Sequence, residues 1–230
     1  MIDLYFWPTP NGYKPAIALE EMGLDYRVKP INILRSEQFD PAFIKINPNN
    51  KIPAILDQDG PGGKPYAVFE SGAILLYLAE KSGMFYPEDM AIRYRVIQWL
   101  MFQVSNVGPM LGQNGHFHGY ASEDLPYAKK RYLNETKRLY TVMDRQLAES
   151  EFIAGDYSLA DMAIYPWMVP VIRDLHRMDI KDYPNVERWH DVVASRPAVQ
   201  RAESLMVDRM KIGDPDDEAY EALFGKQQNP

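Results

Sequence analysis

Cysteine is absent from this 230-residue chain. That excludes a disulfide framework, a thiolate zinc site and a protein thiol nucleophile, so any thiol chemistry must arrive with a ligand. Long hydrophobic runs are missing as well. No apolar stretch approaches the roughly 20 residues that span a bilayer. The opening Met1-Ile2-Asp3-Leu4-Tyr5-Phe6 lacks the basic n-region and long apolar segment of a secretory signal, and is expected to start a strand at once. Basic blocks are also lacking. The 25 Lys and Arg stand against 32 Asp and Glu, a net charge of −7, which argues against nucleic acid as a partner. These absences leave a cytoplasmic protein that binds neither membrane nor nucleic acid as the expectation. The 46% hydrophobic and 25% charged content then suits a chain long enough for one large domain or two small ones.

The first 80 residues alternate strand and helix signals. Ile2 to Phe6 and Tyr26 to Ile31 are expected strands around a helix over 13–22 that Gly23 stops. Asp40-Pro41 starts a short helix. Ala54 to Asp57 and Tyr66 to Phe69 flank the Gly/Pro-rich turn Gly60 to Pro65, and Ser71 to Lys81 places Ile74, Leu75 and Leu78 on one helical face. The order β-α-β-α-β-β-α predicts a four-stranded mixed sheet, one pair parallel and the later hairpin antiparallel. This α/β region is assigned to residues 1–82. After Ser82-Gly83 the pattern becomes helical, giving an all-α domain over 91–210. Helices are expected near 91–112, 126–149, 160–176, 186–195 and 198–210, with His116 and His118 in a Gly/Asn-rich loop. Residues 211–230 are acidic and end in Gln-Gln-Asn-Pro, an expected extended tail.

Three short segments carry chemistry. In Asn49-Asn50-Lys51-Ile52-Pro53-Ala54, a proline interrupts an apolar run. Proline cannot donate to a sheet ladder, so it marks an edge or a strand start. It also permits a cis peptide that turns the backbone N–H and C=O of Ile52 outward. Glu70-Ser71 opens a helix, either as a plain serine cap or as a carboxylate site at the positive helix end, with Glu70 placed to accept from an ammonium. Thr9-Pro10-Asn11-Gly12 is likewise a cap, or else a hydroxyl and an amide that lower the pKa of a ligand thiol; Tyr5 and Tyr13 are alternative hydroxyl donors. Ser158-Leu159-Ala160-Asp161 is a capping box assigned to stability. The His116/His118 pair lacks the further ligands a metal needs.

Over about residues 1 to 205 the pattern resembles the glutathione transferase superfamily, a thioredoxin-like half followed by an all-helical half. The resemblance rests on Asn50-Lys51-Ile52-Pro53-Ala54, on Glu70-Ser71-Gly72-Ala73-Ile74 with Tyr77-Leu78, and on the capping box before a Trp-bearing helix. Thr9-Pro10-Asn11-Gly12 with Pro48-Asn49-Asn50-Lys51 is similar to the bacterial Nu class, itself similar to the yeast nitrogen-regulator prion protein. The resemblance implies a glutathione-dependent disulfide-bond oxidoreductase that works without protein cysteine. It puts the γ-glutamyl carboxylate at Ser71, the ligand's amino group near Glu70, and the cysteinyl unit on the backbone of Ile52 before a cis Pro53. Gln38 and Lys51 would face the glycyl end or a second glutathione. Thr9 and Asn11 would sit at the sulfur, and Arg131 would reach over from the helical domain.

The expected function is therefore disulfide reduction by bound glutathione, with small disulfides as partners and the thiolate held at Thr9 and Asn11. No cofactor or metal is expected beyond glutathione itself as substrate or co-substrate. One alternative is a glutathione S-transferase or peroxidase acting on electrophiles or hydroperoxides through Thr9 or Tyr13. Another is a non-enzymatic glutathione-binding regulator on the same fold. A homodimer is expected by analogy with the family.

Overall fold

Strand β1 (Ile2–Phe6) is covered on both faces and lies inside the sheet. The structure is a computed structural model and describes residues 1–225. Strand β2 (Tyr26–Pro30) pairs with β1 in parallel, while β3 (Ala54–Asp57) pairs with β1 antiparallel and β4 (Tyr66–Phe69) pairs with β3 antiparallel. The order is β2-β1-β3-β4, the expected four-stranded mixed sheet. Buried acids tie its layers together. Asp3 on β1 accepts from the Arg27 guanidinium of β2 and from Gln58 Nε2 at 2.8 Å.

Helix α1 (Pro10–Met22) links the parallel pair and ends at Gly23, whose φ of 61° is the left-handed stop that glycine adopts without cost. Helix α2 (Pro41–Ile44) is a single turn capped by Asp40, whose carboxylate accepts from Ala42 N–H at 2.7 Å. Helix α3 (Ser71–Ser82) buries Gly72, Ile74, Leu75, Leu78 and Ala79. It is locked to β3 by Asp57, which accepts from Tyr77 Oη at 2.6 Å and Lys81 Nζ at 2.8 Å. Helices α1 and α3 pack on each other.

The chain divides into two units. The first holds Met1–Ser82, Arg201–Lys211 and residues 215–225; the second holds Gly83–Gln200 and Ile212–Asp214. Residues 201–210, expected within the helical domain, thus cluster with the sheet. In the second unit, α4 (Met90–Phe102) runs through a wide turn over Gln103–Val107 into α5 (Gly108–Gly119). The helix therefore continues past the expected end at residue 112 to Gly119, so His116 and His118 sit on α5 rather than in a loop, and the expected break before Pro126 narrows to residues 120–125. Then come α6 (Pro126–Ala148), α7 (Leu159–Ile164), α8 (Pro170–His176) and α9 (Pro184–Ala194), and the boundary between the units falls within α10 (Pro197–Glu203). The single helix expected over 160–176 is split between α7 and α8. Pro166 and Pro170 lack the amide hydrogens that would continue it. The last helix of that series stops at Glu203, and Met206 follows with a left-handed φ of 51°.

The tail also differs from expectation. Residues 217–224 form α11 (Asp217–Phe224) rather than an extended strand of acids. Asp216 caps it by accepting from Ala219 N–H at 2.8 Å, and acidic residues at its start suit the positive helix end. Arg35 pairs with Asp216 at 3.1 Å and Glu218 at 3.5 Å, and Ala219 and Ala222 supply the buried face. The expected Gln-Gln-Asn-Pro end lies outside the described residues. Among the described residues, no helix is long and apolar enough to cross a membrane.

Candidate functional site

Strand register brings three separate stretches of sequence to one end of the sheet. Tyr5 of β1 lies opposite Ala54, the first residue of β3, and Ala54 lies opposite Phe69, the last residue of β4. Adjacent strands are about 4.8 Å apart. The segments leaving β1, entering β3 and leaving β4 therefore emerge side by side. They are Trp7 to Gly12, Asn47 to Pro53, and Glu70 to Ala73.

The first segment turns sharply into α1. Thr9 N–H donates to the Trp7 carbonyl at 2.8 Å. Thr9 is the cap, its Oγ1 accepting from Gly12 N–H at 3.1 Å, and its carbonyl accepts from Tyr13 N–H at 3.1 Å. Pro10 has no N–H. Of the first-turn amides this leaves Asn11 N–H, to which the Asn11 side-chain amide adds a donor; neither is hydrogen-bonded among the described residues. The Thr9 hydroxyl accepts from Gly12 and keeps its own proton to donate. Three donors thus gather at the positive end of α1, an arrangement that stabilises an anion such as a thiolate.

Tyr13 is unsuited to that role. Its hydroxyl donates to the Leu205 carbonyl at 3.1 Å, and burial, aided by Glu203, pushes its pKa up to about 12. Tyr5 packs its ring on Phe43 with centroids 5.6 Å apart, and burial raises its pKa too.

The second segment is organised by a residue that the sequence did not single out. Asn47 is buried, donates from Nδ2 to the Lys51 carbonyl at 2.6 Å, and accepts at Oδ1 from Asn49 N–H at 2.8 Å. Its carbonyl accepts from Asn50 N–H at 3.1 Å, with Asn50 left-handed at φ 55°. The Ile52–Pro53 peptide is cis. Because β3 begins at Ala54, the backbone of Ile52 lies ahead of the ladder. Pro53 is buried, Ile52 half-buried and Lys51 exposed.

At the third segment the cap is Glu70, not Ser71. The Glu70 carbonyl accepts the first helical bond, from Ile74 N–H at 2.9 Å, and its φ is 67°, a left-handed value that costs a non-glycine residue backbone strain. Ser71 is the first helical residue, so the amides of Ser71, Gly72 and Ala73 form the unsatisfied start of α3. Asn49 Nδ2 reaches Glu70 Oε1 at 3.4 Å, joining the second segment to the third. Lys14 of α1 joins the first to the third: its Nζ donates to Ser71 Oγ at 3.2 Å. Lys14 is only 2% exposed, and burial pushes its ammonium down to about 7 while Glu70 pulls it back up. The sequence reading missed it. Its one legible signal is a single charge in the otherwise uncharged run from Leu4 to Leu19.

Gln38 is buried and committed. Its Nε2 donates to the Ala222 carbonyl of α11 at 3.0 Å, while its Oε1 is buried without a partner. Arg131 lies on α6 in the helical unit, half exposed, 3.8 Å from Glu135, which also holds Arg138 at 2.7 Å. Thr9, Asn11, Ile52, Pro53, Glu70 and Ser71 are thus gathered by one sheet end, with Lys51 beside them. Gln38 is instead bonded to α11, and Arg131 belongs to the other unit. Among the described residues, no group of three or more His, Asp and Glu side chains could hold a metal ion.

The family model described as Glutathione S-transferase, N-terminal domain, matches residues 1–80, and that for the C-terminal domain matches residues 116–201. The disulfide-bond oxidoreductase YfcG of Escherichia coli (strain K12) is 50% identical over 204 residues, spanning 88% of this chain and 94% of the relative. A glutathione transferase family member from Pseudomonas fluorescens pf-5, solved with two glutathione bound, superposes with a TM-score of 0.84. Its identity is 45%, over 88% of this chain and 92% of its own. A glutathione transferase from Pseudomonas putida, solved with one glutathione disulfide bound per subunit, also gives 0.84, at 46% identity over 89% of this chain and 91% of its own.

Proposed function

The chain belongs to the glutathione S-transferase family, and from that premise we propose that it is a glutathione-dependent disulfide-bond oxidoreductase whose reacting sulfurs all belong to its ligands. The observation that carries this reading is the cluster of donors at the start of α1, in a chain without a single cysteine. Asn11 N–H, the Asn11 amide and the Thr9 hydroxyl favour the thiolate of a bound glutathione over its thiol. That thiolate attacks one sulfur of a small disulfide. The S–S bond breaks, a mixed disulfide forms, and the departing thiolate takes up a proton. A second glutathione thiolate attacks the mixed disulfide at the glutathione sulfur, giving glutathione disulfide and releasing the second thiol. Two electrons pass from two glutathiones to the substrate, and the protein gains and loses none.

The remaining roles follow from charge and position. Ser71 with the free amides of α3 takes the γ-glutamyl carboxylate, and Glu70 takes the ligand's ammonium. The backbone of Ile52 pairs with the cysteinyl unit. Lys51 faces the glycyl carboxylate. Gln38 contributes there only if its amide leaves Ala222. Conjugation of electrophiles is the second reading; of the two hydroxyls it could use, Tyr13 is bonded to Leu205, which leaves Thr9. The cytoplasm, with its reducing glutathione pool, suits the chemistry. A two-fold dimer is supported by exposed apolar residues along one face of α4: Met90 at 72%, Tyr94 at 62% and Met101 at 41%.

The test is reduction of 2-hydroxyethyl disulfide by glutathione, run beside conjugation of a chloronitrobenzene and reduction of a hydroperoxide. Disulfide reduction well above the uncatalysed rate, and above the other two activities, is expected. A rate no faster than background overturns the reading, and light scattering in solution checks the dimer.

A further inference from the structure

We propose that Lys14 is a positioning residue of the carboxylate site: its ammonium holds Ser71 Oγ as a hydrogen-bond acceptor, so that the Ser71 hydroxyl proton is committed to the γ-glutamyl carboxylate. The inference rests on the reading above, in which Ser71 takes that carboxylate. An ammonium donates and never accepts. With Lys14 Nζ at 3.2 Å, Ser71 Oγ accepts from it whenever Lys14 is protonated, and the single hydroxyl proton then points elsewhere. A serine at the start of a helix otherwise shares its hydroxyl between donating and accepting roles; Lys14 removes that choice.

Charge supports the same arrangement. A cation is ill-matched to a helix N-terminus, where the dipole is already positive. Lys14 is held beside the start of α3 at 2% exposure, which is costly for an ammonium. Nearby anions offset that cost. Glu70 faces Lys14 from the same junction. The γ-glutamyl group brings one ammonium and one carboxylate, and these match Glu70 and the Lys14–Ser71 pair in sign. Burial pushes the Lys14 ammonium down to about 7 in the free protein, so arrival of a carboxylate draws a proton back onto it.

Calorimetric titration with glutathione and with γ-aminobutyryl-cysteinylglycine, which lacks only that carboxylate, isolates the effect. The unsubstituted protein is expected to prefer glutathione. Lys14→Met is expected to shrink that preference about tenfold or more while leaving the affinity for the analogue within about threefold. In a Ser71→Ala background, Lys14→Met is expected to cost glutathione binding less than about threefold, because the residue through which Lys14 acts is gone. Equal weakening of both ligands, or no change in either, overturns the proposal and makes Lys14 a packing residue. Should Lys14→Met not fold, the unsubstituted protein decides alone. Its preference for glutathione is expected to narrow as pH rises from about 6 to about 8.5 and Lys14 loses its proton, and a constant preference overturns the proposal. If the unsubstituted protein binds neither ligand, the functional reading falls as well. If it prefers glutathione and Lys14→Met keeps the full preference, only the role of Lys14 falls.

Discussion

Gly12 sits against Trp7 so closely that a Cβ at position 12 would lie 2.2 Å from the Trp7 carbonyl oxygen. The same carbonyl accepts from Thr9 N–H, and Gly12 N–H donates to Thr9 Oγ1, so the turn that places Thr9 and Asn11 depends on the missing side chain. Gly12→Ala is expected to destabilise the protein by about 1–3 kcal/mol, the usual cost of overpacking. Disulfide reduction should fall further than the loss of folded protein explains. Thermal unfolding and turnover per folded molecule, measured on the same preparation, check both parts.

Asn11 separates binding from chemistry. If its two N–H donors act on the thiolate, Asn11→Ala removes the side-chain donor and lowers disulfide turnover by about tenfold or more, with a smaller change in glutathione affinity. Equal losses in the two quantities would make Asn11 a binding group only. The pKa of bound glutathione, read from thiolate absorbance, should rise in the same variant.

His176 gives the helical unit a defined response to acid. It is 1% exposed, and burial, with a smaller contribution from His118, pushes its imidazole from the ordinary 6.5 down to about 4. Between those values the unfolded chain binds a proton that the folded chain refuses. The contribution of neutral His176 to stability is therefore full above about pH 6.5 and is lost as pH falls toward 4, by up to about 3 kcal/mol. His176→Phe keeps a ring stacked near Trp167, whose centroid lies 6.2 Å away, and should flatten this part of the urea-stability curve against pH. An unchanged acid slope in the variant would assign the effect elsewhere.

Asp161 carries the other local load in that unit. Its carboxylate accepts from Ile153 N–H at 3.0 Å, Trp189 Nε1 at 2.8 Å, Ser158 N–H at 2.9 Å and Ser158 Oγ at 3.2 Å. Asp161→Ala deletes half of the capping box and leaves buried donors unpaired, so a loss of about 3 kcal/mol is expected in denaturant unfolding. The intrinsic fluorescence of Trp189, which loses its partner, reports the same change.

Much of this was legible in the sequence because the signals are local. Pro53 after an Asn-rich turn marks a strand start whatever surrounds it, and Glu70-Ser71 before an apolar run marks a helix start. Their assignment to cap and first turn was off by one residue, because nothing in the sequence announces that Glu70 adopts a left-handed φ of 67°. The split at residues 165–170 is legible in Pro166 and Pro170, neither of which can donate the amide hydrogen that a continuous helix over 160–176 requires. Lys14 and Gln38 were harder for a different reason. A lysine is expected at the surface; only the packing of α1 on α3 reveals that this one is buried. Gln38 finds its partner 184 residues away on a helix whose acidic composition suggested a tail.

The sheet divides its labour between its two ends. One end gathers the Thr9, Pro53 and Glu70 segments; the other carries the turn between β3 and β4, where residues 61–66 are exposed. That far turn is a natural place for a reporter group. Because the chain holds no thiol of its own, Lys64→Cys would give it a single attachment point for a fluorophore or spin label, separated from the Thr9, Pro53 and Glu70 segments by the length of the strands. The feature that makes the chemistry depend on borrowed sulfur also makes the protein simple to label.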